Sequence, residues 1–186
     1  ARVAAVLLLT LRGTPTMYYG DELGMPDVEV PLAVQRDPQG LRGGRSRDPA
    51  RTPMRWAGGP AAGFSDGAPW LPLGPDVTRL NVAAPRADDR SLLTLYRRLL
   101  ELRRAEPALS IGACESLGAQ GSAIGFVRSH EGRRLLVALN LGDKPARYEA
   151  DSGGRVLIST LPGGDGRDVG PMLELAADEA IVVELG

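Results

Sequence analysis

The chain is short of the residues that most often carry chemistry. Of its 186 residues, one is cysteine and one is histidine. Cys114 alone can form neither an intramolecular disulfide nor a cysteine metal cluster, and it fits a reducing compartment such as the cytoplasm. His130 lies in Ser129-His130-Glu131-Gly132, a turn between two strand-like runs, where a solvated side chain is expected. Nothing nearby would orient a Cys114–His130 nucleophilic pair. Net charge is scarce too: 22 basic and 23 acidic side chains leave −1. That balance lacks the basic excess of a nucleic-acid binder, so no nucleic-acid partner is expected. Lysine is reduced to Lys144 against 21 arginines, a coding bias and not a functional sign. No apolar run approaches the roughly 20 residues that span a bilayer, so no membrane partner is expected either.

What is present is globular: 43% hydrophobic and 24% charged residues, with Gly 24 and Pro 15 to make turns and loops. The chain opens inside an apolar run, Val3 to Leu9, without an initiating Met. Thr10-Leu11-Arg12-Gly13 follows, which is unlike a signal-peptide cleavage site. It reads as the end of a buried helix over 1–12 capped by Gly13. The expectation is a piece of a longer protein.

Gly13 to Gly20 reads as a short buried strand, with Thr, Met and Tyr bounded by Gly and Pro. From Asp21 to about Asp89 no period of either kind is sustained. Pro, Gly and Arg crowd this stretch, and it holds both tryptophans, Trp56 and Trp70. An ordered loop of that length is usually functional. Residues 90–106 form the clearest helix. Leu92, Leu95, Tyr96, Leu99 and Leu102 (or Arg103) make one apolar stripe, Asp88 or Asp89 can cap the start, and Pro107 limits the end. After Ser110 the texture becomes short strand-like runs: 123–129, 134–141, 147–149, 155–160, 172–175 and 180–185. Gly, Asp and Pro turns separate them, as in an antiparallel sandwich or barrel. The charge shifts at the same place. Residues 1–110 carry 15 basic and 12 acidic side chains, a net of +3; residues 111–186 carry 7 and 11, a net of −4. The expected fold class is therefore α/β plus all-β. Residues 1–110 would supply the last βα unit of a (β/α)8 TIM barrel, and residues 111–186 a C-terminal antiparallel β-sandwich domain. In such barrels the chemistry lies on the loops after the C-terminal strand ends.

The loop carries specific motifs. Gly13-Thr14-Pro15-Thr16-Met17-Tyr18-Tyr19-Gly20-Asp21-Glu22-Leu23-Gly24-Met25 resembles the eighth barrel strand of the α-amylase superfamily of glycoside hydrolases (family 13). Gly44-Arg45-Ser46-Arg47-Asp48-Pro49-Ala50-Arg51-Thr52-Pro53-Met54-Arg55-Trp56 resembles the R-D-x-x-R-T-P-M-x-W segment of its α-glucosidase and oligo-1,6-glucosidase-like branch. Ala61 to Ser65, Pro69 to Leu73, Asn81-Val82 and Ser91 to Arg103 resemble the continuation of that segment and the eighth helix. The resemblance runs in order over about residues 1–110; residues 111–186 match only as a β-rich tail of the expected size.

The resemblance implies a retaining α-glucosidase acting on short oligosaccharides, with an α-glucoside as partner and no cofactor. It also implies a substrate-binding Arg that helps close the pocket around the terminal glucose. The matching positions are Arg51 and Arg47, and Arg51 is favoured because Thr52-Pro53 would stiffen its approach. An arginine suits the task, offering five fixed donors for hydroxyls or a carboxylate. Trp56 and Trp70 could stack on sugar rings or simply pack the loop. Asp21 and Glu22 are neighbours that point to opposite faces, so they do not flank one bond, and Glu22 reads as a loop anchor. Retaining glycosidases need two carboxylates about 5–5.5 Å apart. By the resemblance, the Asp, Glu and stabilising Asp of the family would precede Ala1, so this chain alone is expected to be inactive and no catalytic residue is assigned within it. Three alternatives remain: a maltose–trehalose interconverting synthase, a non-catalytic glycosidase-like partner subunit, and a free-standing carbohydrate-binding module over 111–186. The length of the Asp27–Gly43 insertion favours the hydrolase over the synthase.

Overall fold

A computed structural model describes residues 1–84, 88 and 90–186. The helices are α1 (Arg2–Thr10), α2 (Pro38–Leu41), α3 (Leu92–Ala105) and α4 (Pro107–Ser110). The strands are β1 (Ala113–Gln120), β2 (Ala123–His130), β3 (Arg133–Asn140), β4 (Ala146–Glu149), β5 (Gly154–Ser159), β6 (Asp168–Val169), β7 (Met172–Leu175) and β8 (Ala180–Leu185). Two compact units divide the chain. One comprises Ala1–Thr16 with Leu95–Gly186, the other Met17–Thr94.

The first unit is built on a six-stranded sheet of order β1-β2-β3-β8-β5-β6, every pair antiparallel. A two-stranded antiparallel sheet, β4-β7, faces it. Between them Val127, Leu136, Ala138, Val156, Ile181 and Val183 meet Tyr148, Leu173 and Leu175 in one buried cluster. On β3, Leu135, Val137 and Leu139 alternate with the residues of that cluster, and they are buried as well. α1 and α4 pack against β3, which explains the unbroken apolar run Leu135 to Leu139: both faces of this strand are covered. The β2–β3 hairpin turns through Glu131 and Gly132, with φ of 47° and 83°, the type I′ geometry that matches strand twist. His130 is the last residue of β2, paired with Arg133, and half-buried. Tyr148 lies over a row of small residues, Gly118, Gly125 and Ala138, aligned across three strands. A Cβ at Gly125 would come within 2.3 Å of the Tyr148 hydroxyl oxygen, so glycine is there to make room for the ring.

Two arginines fasten the end of α1, one from the sheet and one from α3. Helix α1 stops at Thr10, and Leu11 is already extended at φ −60°, ψ 154°, so Gly13 is not its cap. The last carbonyls are taken instead by side chains. Arg128, fully buried on β2, donates to the Thr10, Gly112 (3.2 Å) and Ala113 (3.1 Å) carbonyls. Arg103 of α3 donates to the carbonyls of Leu9 (2.8 Å), Leu11 (3.3 Å) and Gly13 (2.5 Å). Cations on orphaned C-terminal carbonyls satisfy both the hydrogen bonds and the helix dipole. The apolar stripe of α3 is as expected, with Leu95, Tyr96 and Leu99 buried. Its start is capped by Ser91, whose Oγ accepts from Thr94 N–H at 3.1 Å. Asp88 accepts from Arg90 N–H in the preceding turn, and Asp89 lies outside the described residues.

Residues 14–18 form no strand, and most of 13–19 is exposed. The expected buried strand is therefore corrected: an extended segment becomes a strand only where neighbours accept its ladder hydrogen bonds. β1 and β6, absent from the sequence reading, are both edge strands.

The second unit contains no strand among its described residues. It is a series of one-turn helices: Asp21–Leu23, Leu32–Val34, α2, Asp48–Arg51 and Pro60–Gly63. Leu23, Met54, Val82 and Leu93 make its small buried cluster. The 37–48 segment is closed by a reciprocal clasp of two buried carboxylates. Asp48 accepts from the N–H groups of Arg36 (2.6 Å) and Asp37 (2.9 Å), and Asp37 accepts from Arg47 N–H at 2.8 Å.

Candidate functional site

Within the second unit a pocket of about 330 Å³ is lined by Tyr19, Glu22, Arg51, Pro53, Met54, Trp56, Phe64 and Trp70. Its aromatic walls are unusually open to solvent: Trp70 is 72% exposed, Trp56 52%, Phe64 46% and Tyr19 41%. Large apolar side chains clustered at a surface mark a binding face more often than a packing accident. Both tryptophans of the chain are in this wall.

Each wall has an identifiable support. Asp21–Leu23 forms a single turn flanked by Gly20 and Gly24, both with positive φ. Asp21 accepts from Tyr18 N–H (3.0 Å) and Glu22 from Gly20 N–H (2.9 Å), so both carboxylates stabilise their own turn. Tyr19 donates its hydroxyl to the Thr52 carbonyl at 3.1 Å, fastening this turn to the Arg51-Thr52-Pro53 segment. Burial pushes the Tyr19 phenol up, the charge and hydrogen bonding of the neighbouring Tyr18 phenol add to the shift, and the Arg51 charge opposes it. Trp56 is held through its backbone, donating to the Ala62 carbonyl (2.9 Å) and accepting from Ala83 N–H (3.1 Å). Ala61, Ala62 and Gly63 turn the chain at φ 49°, 53° and 65°, and Phe64 follows.

The two arginines singled out by sequence are placed differently. Arg51 ends the Asp48–Arg51 turn, is exposed, and lines the aromatic pocket beside Glu22 and Trp56. Arg47 is not among the residues of that wall. Its Nε (3.0 Å) and Nη2 (2.6 Å) both donate to Asp37, and it lines a separate hollow with Asp27, Gln39 and Arg45. Hydrogen bonds from Arg47 hold the Asp37 carboxyl well below the usual carboxylate range, and Asp37 raises Arg47 in return. Asp48 is lowered by the N–H groups of Asp37 and Arg36. Among the described residues no group of three or more His, Cys, Asp or Glu side chains is placed to hold a metal ion. No helix among them is long and apolar enough to cross a membrane.

Chemically, the pocket offers flat apolar faces, one exposed cation and one carboxylate. Aromatic faces suit the C–H face of a pyranose, and guanidinium donors suit hydroxyls. The motifs and loop tryptophans point to Arg51, Trp56 and Trp70 but not to Tyr19 or Phe64 as walls, whose signal in the sequence is an aromatic in a segment with no periodicity to bury it. The β domain offers no such face, since its aromatics Phe126 and Tyr148 are 5% and 0% exposed.

Comparison with known proteins points the same way. The family profile described as "Alpha amylase, catalytic domain" matches residues 1–112. A probable alpha-glucosidase of Rhizobium meliloti (strain 1021) is 38% identical over 152 residues, covering 80% of this chain and 28% of the relative. A probable oligo-1,6-glucosidase of Bacillus subtilis (strain 168) is 29% identical over 169 residues, 80% of this chain and 30% of the relative. The crystal structure of the trehalulose synthase MutB from Pseudomonas mesoacidophila MX-45 superposes with a TM-score of 0.88 at 28% identity, covering 100% of this chain and 38% of that one. The chain thus spans about three tenths of the length of the curated relatives it matches.

Proposed function

The chain belongs to the alpha-amylase family, on its alpha-glucosidase and oligo-1,6-glucosidase-like side, and on that footing we propose that it is the C-terminal portion of a retaining α-glucosidase acting on short oligosaccharides. Residues 1–110 would form the C-terminal part of the (β/α)8 catalytic barrel, namely a helix, the Gly13–Gly20 segment, which would become the eighth strand only once neighbouring barrel strands pair with it, the long loop and the eighth helix. Residues 111–186 would form the C-terminal β domain.

The observation that carries the reading is the pocket. Arg51, inside the motif shared with the family, stands among four exposed aromatic side chains, three of them on the long loop and the fourth, Tyr19, just before it. In the proposed mechanism this loop grips an α-glucoside. Aromatic faces stack on the sugar, and Arg51 donates to its hydroxyls; Arg47 is a second donor, once it is exchanged from Asp37. The grip orients the glycosidic bond toward a nucleophile and a general acid, the pair that double displacement with retention requires. Those two carboxylates would lie outside the 186 residues, since Asp21 and Glu22 are already committed to their own turn.

The test is release of nitrophenol from an aryl α-glucoside. The 186 residues alone should give no turnover above a no-enzyme blank, and the same residues extended upstream should release the aglycone and free glucose. Turnover by the isolated chain, or none by the extended one, would contradict the proposal. A second reading is an isomerising synthase, favoured by the close superposition on a trehalulose synthase. Product analysis on sucrose and maltose separates the two: glucose release for the hydrolase, an isomeric disaccharide for the synthase.

A further inference from the structure

Arg55 is fully buried in the second unit, between the two segments that carry the pocket's tryptophans. Its backbone carbonyl accepts from Val82 N–H (2.9 Å), and the next residue, Trp56, is bound to Ala62 and Ala83. Its side chain reaches the other way, and Nη1 donates to the Pro75 carbonyl at 2.7 Å. There the chain has narrowed to a glycine. A Cβ on Gly74 would stand 1.9 Å from Arg55 Nη2 and 2.6 Å from Val28 Cγ2, so the guanidinium occupies the space a side chain would need. Gly74 is four residues beyond Trp70, with buried Leu71 between them.

The hydrogen bonding of Arg55 is the reverse of that of Arg128. Arg128 directs all its nitrogens at carbonyls. Arg55 Nε and Nη2 are buried and meet no acceptor among the described residues. Burial pushes the guanidinium down, and the Asp76 charge opposes this. A cation placed so is a poor stability device. An apolar side chain of similar volume would fill the site without stranding two donors.

We propose that Arg55 is a positioning residue for the aromatic pocket. Seated over Gly74 and bound to Pro75, its guanidinium ties the Trp70 segment to the Trp56 segment and sets the spacing of the two indole walls. The consequence for ligands rests on the sugar-binding reading of the pocket; the geometric claim does not. The site's pre-organisation is then stored in an arginine that itself touches no ligand.

The experiment exploits the fact that the chain has two tryptophans, both in this wall. Arg55→Met and Gly74→Ala are compared with the unaltered 186-residue chain by far-UV and near-UV circular dichroism, thermal melting, and maltose titration of tryptophan emission. In Arg55→Met the melting temperature should hold or rise, the near-UV tryptophan band should be lost, and the maltose dissociation constant should rise about tenfold. Gly74→Ala, which displaces the guanidinium, should lose the same band. If Arg55→Met does not fold, Arg55→Lys, which keeps one donor for Pro75, should retain more of the band than Gly74→Ala. A lowered melting temperature with an intact band would show a merely structural role and overturn the proposal, as would an unchanged band in Gly74→Ala. A band lost in both variants, with no maltose response even in the unaltered chain, supports the positioning role and removes the sugar reading instead.

Discussion

Replacing Gly125 by alanine isolates a single contact in the β domain. Gly125 is in the middle of β2, where an added Cβ incurs no left-handed strain and would ordinarily gain about 0.5–1 kcal/mol over glycine. Here it would stand 2.3 Å from Oη, 2.4 Å from Cζ and 2.7 Å from Cε1 of Tyr148. That ring is fully buried, packed between the sheets against Leu173, Leu175 and Leu136, and has nowhere to swing. Overpacking of this kind costs about 1–3 kcal/mol, leaving a net loss of up to about 2.5 kcal/mol after the backbone gain. At this chain length that corresponds to a fall in melting temperature of up to roughly 10 °C. The decisive comparison is Gly125→Ala in a Tyr148→Leu background, followed by urea denaturation with far-UV circular dichroism. With the ring gone the three closest clashes of the new methyl are removed, and its cost should fall below about 0.5 kcal/mol or reverse in sign. Additivity of the two substitutions within about 0.5 kcal/mol would refute the account of why glycine occupies this position.

Three further outcomes are expected. Asp37 and Asp48 are both more acidic folded than unfolded, so the stability they contribute is present above the ordinary carboxylate pKa of about 4 and is lost as pH falls below it; Asp37→Asn should flatten the acid limb of a stability–pH profile. Arg128→Met should destabilise the first unit by about 3 kcal/mol in denaturant titration, since the buried Thr10 and Gly112 carbonyls and the partly buried Ala113 carbonyl lose their donor at about 1 kcal/mol each. Glu131→Asn should stabilise by about 0.5 kcal/mol, because φ of 47° suits asparagine and the Asn-Gly pair suits a type I′ turn; a loss of stability there would contradict the turn assignment.

Periodicity made the helical parts and most of the β domain legible. The α3 stripe and the apolar runs of β2, β3 and β8 are written in residue types that leave few other solutions. β1 was not legible because Ala113-Cys114-Glu115-Ser116-Leu117-Gly118 has no alternation; it is a mostly exposed edge strand recruited by β2. The Gly13–Gly20 strand failed for the opposite reason, a strand-like composition without a partner ladder. The α1 cap was misread because the groups that end that helix, Arg103 and Arg128, come from about 90 to 118 residues away in sequence.

The candidate site was half legible. Motif spacing singled out Arg51, and aromatics stranded in a loop pointed to Trp56 and Trp70. Asp37 as the partner of Arg47, and Tyr19 and Phe64 as walls, depend on how an irregular 78-residue unit, Met17–Thr94, folds back on itself. Arg55 was invisible for the same reason. In the sequence it is one more arginine in a run of exposed ones, and only its burial against Gly74 distinguishes it.

The most direct test of the central claim is a titration of the chain with maltose, read by tryptophan emission and compared with its Arg51→Met variant. Because both tryptophans line the pocket, a bound sugar must report there. A saturable response in the unaltered chain, weakened at least about tenfold in Arg51→Met, is the predicted result. No response at any maltose concentration, or an identical response in the variant, would contradict the assignment of this pocket as the α-glucoside site.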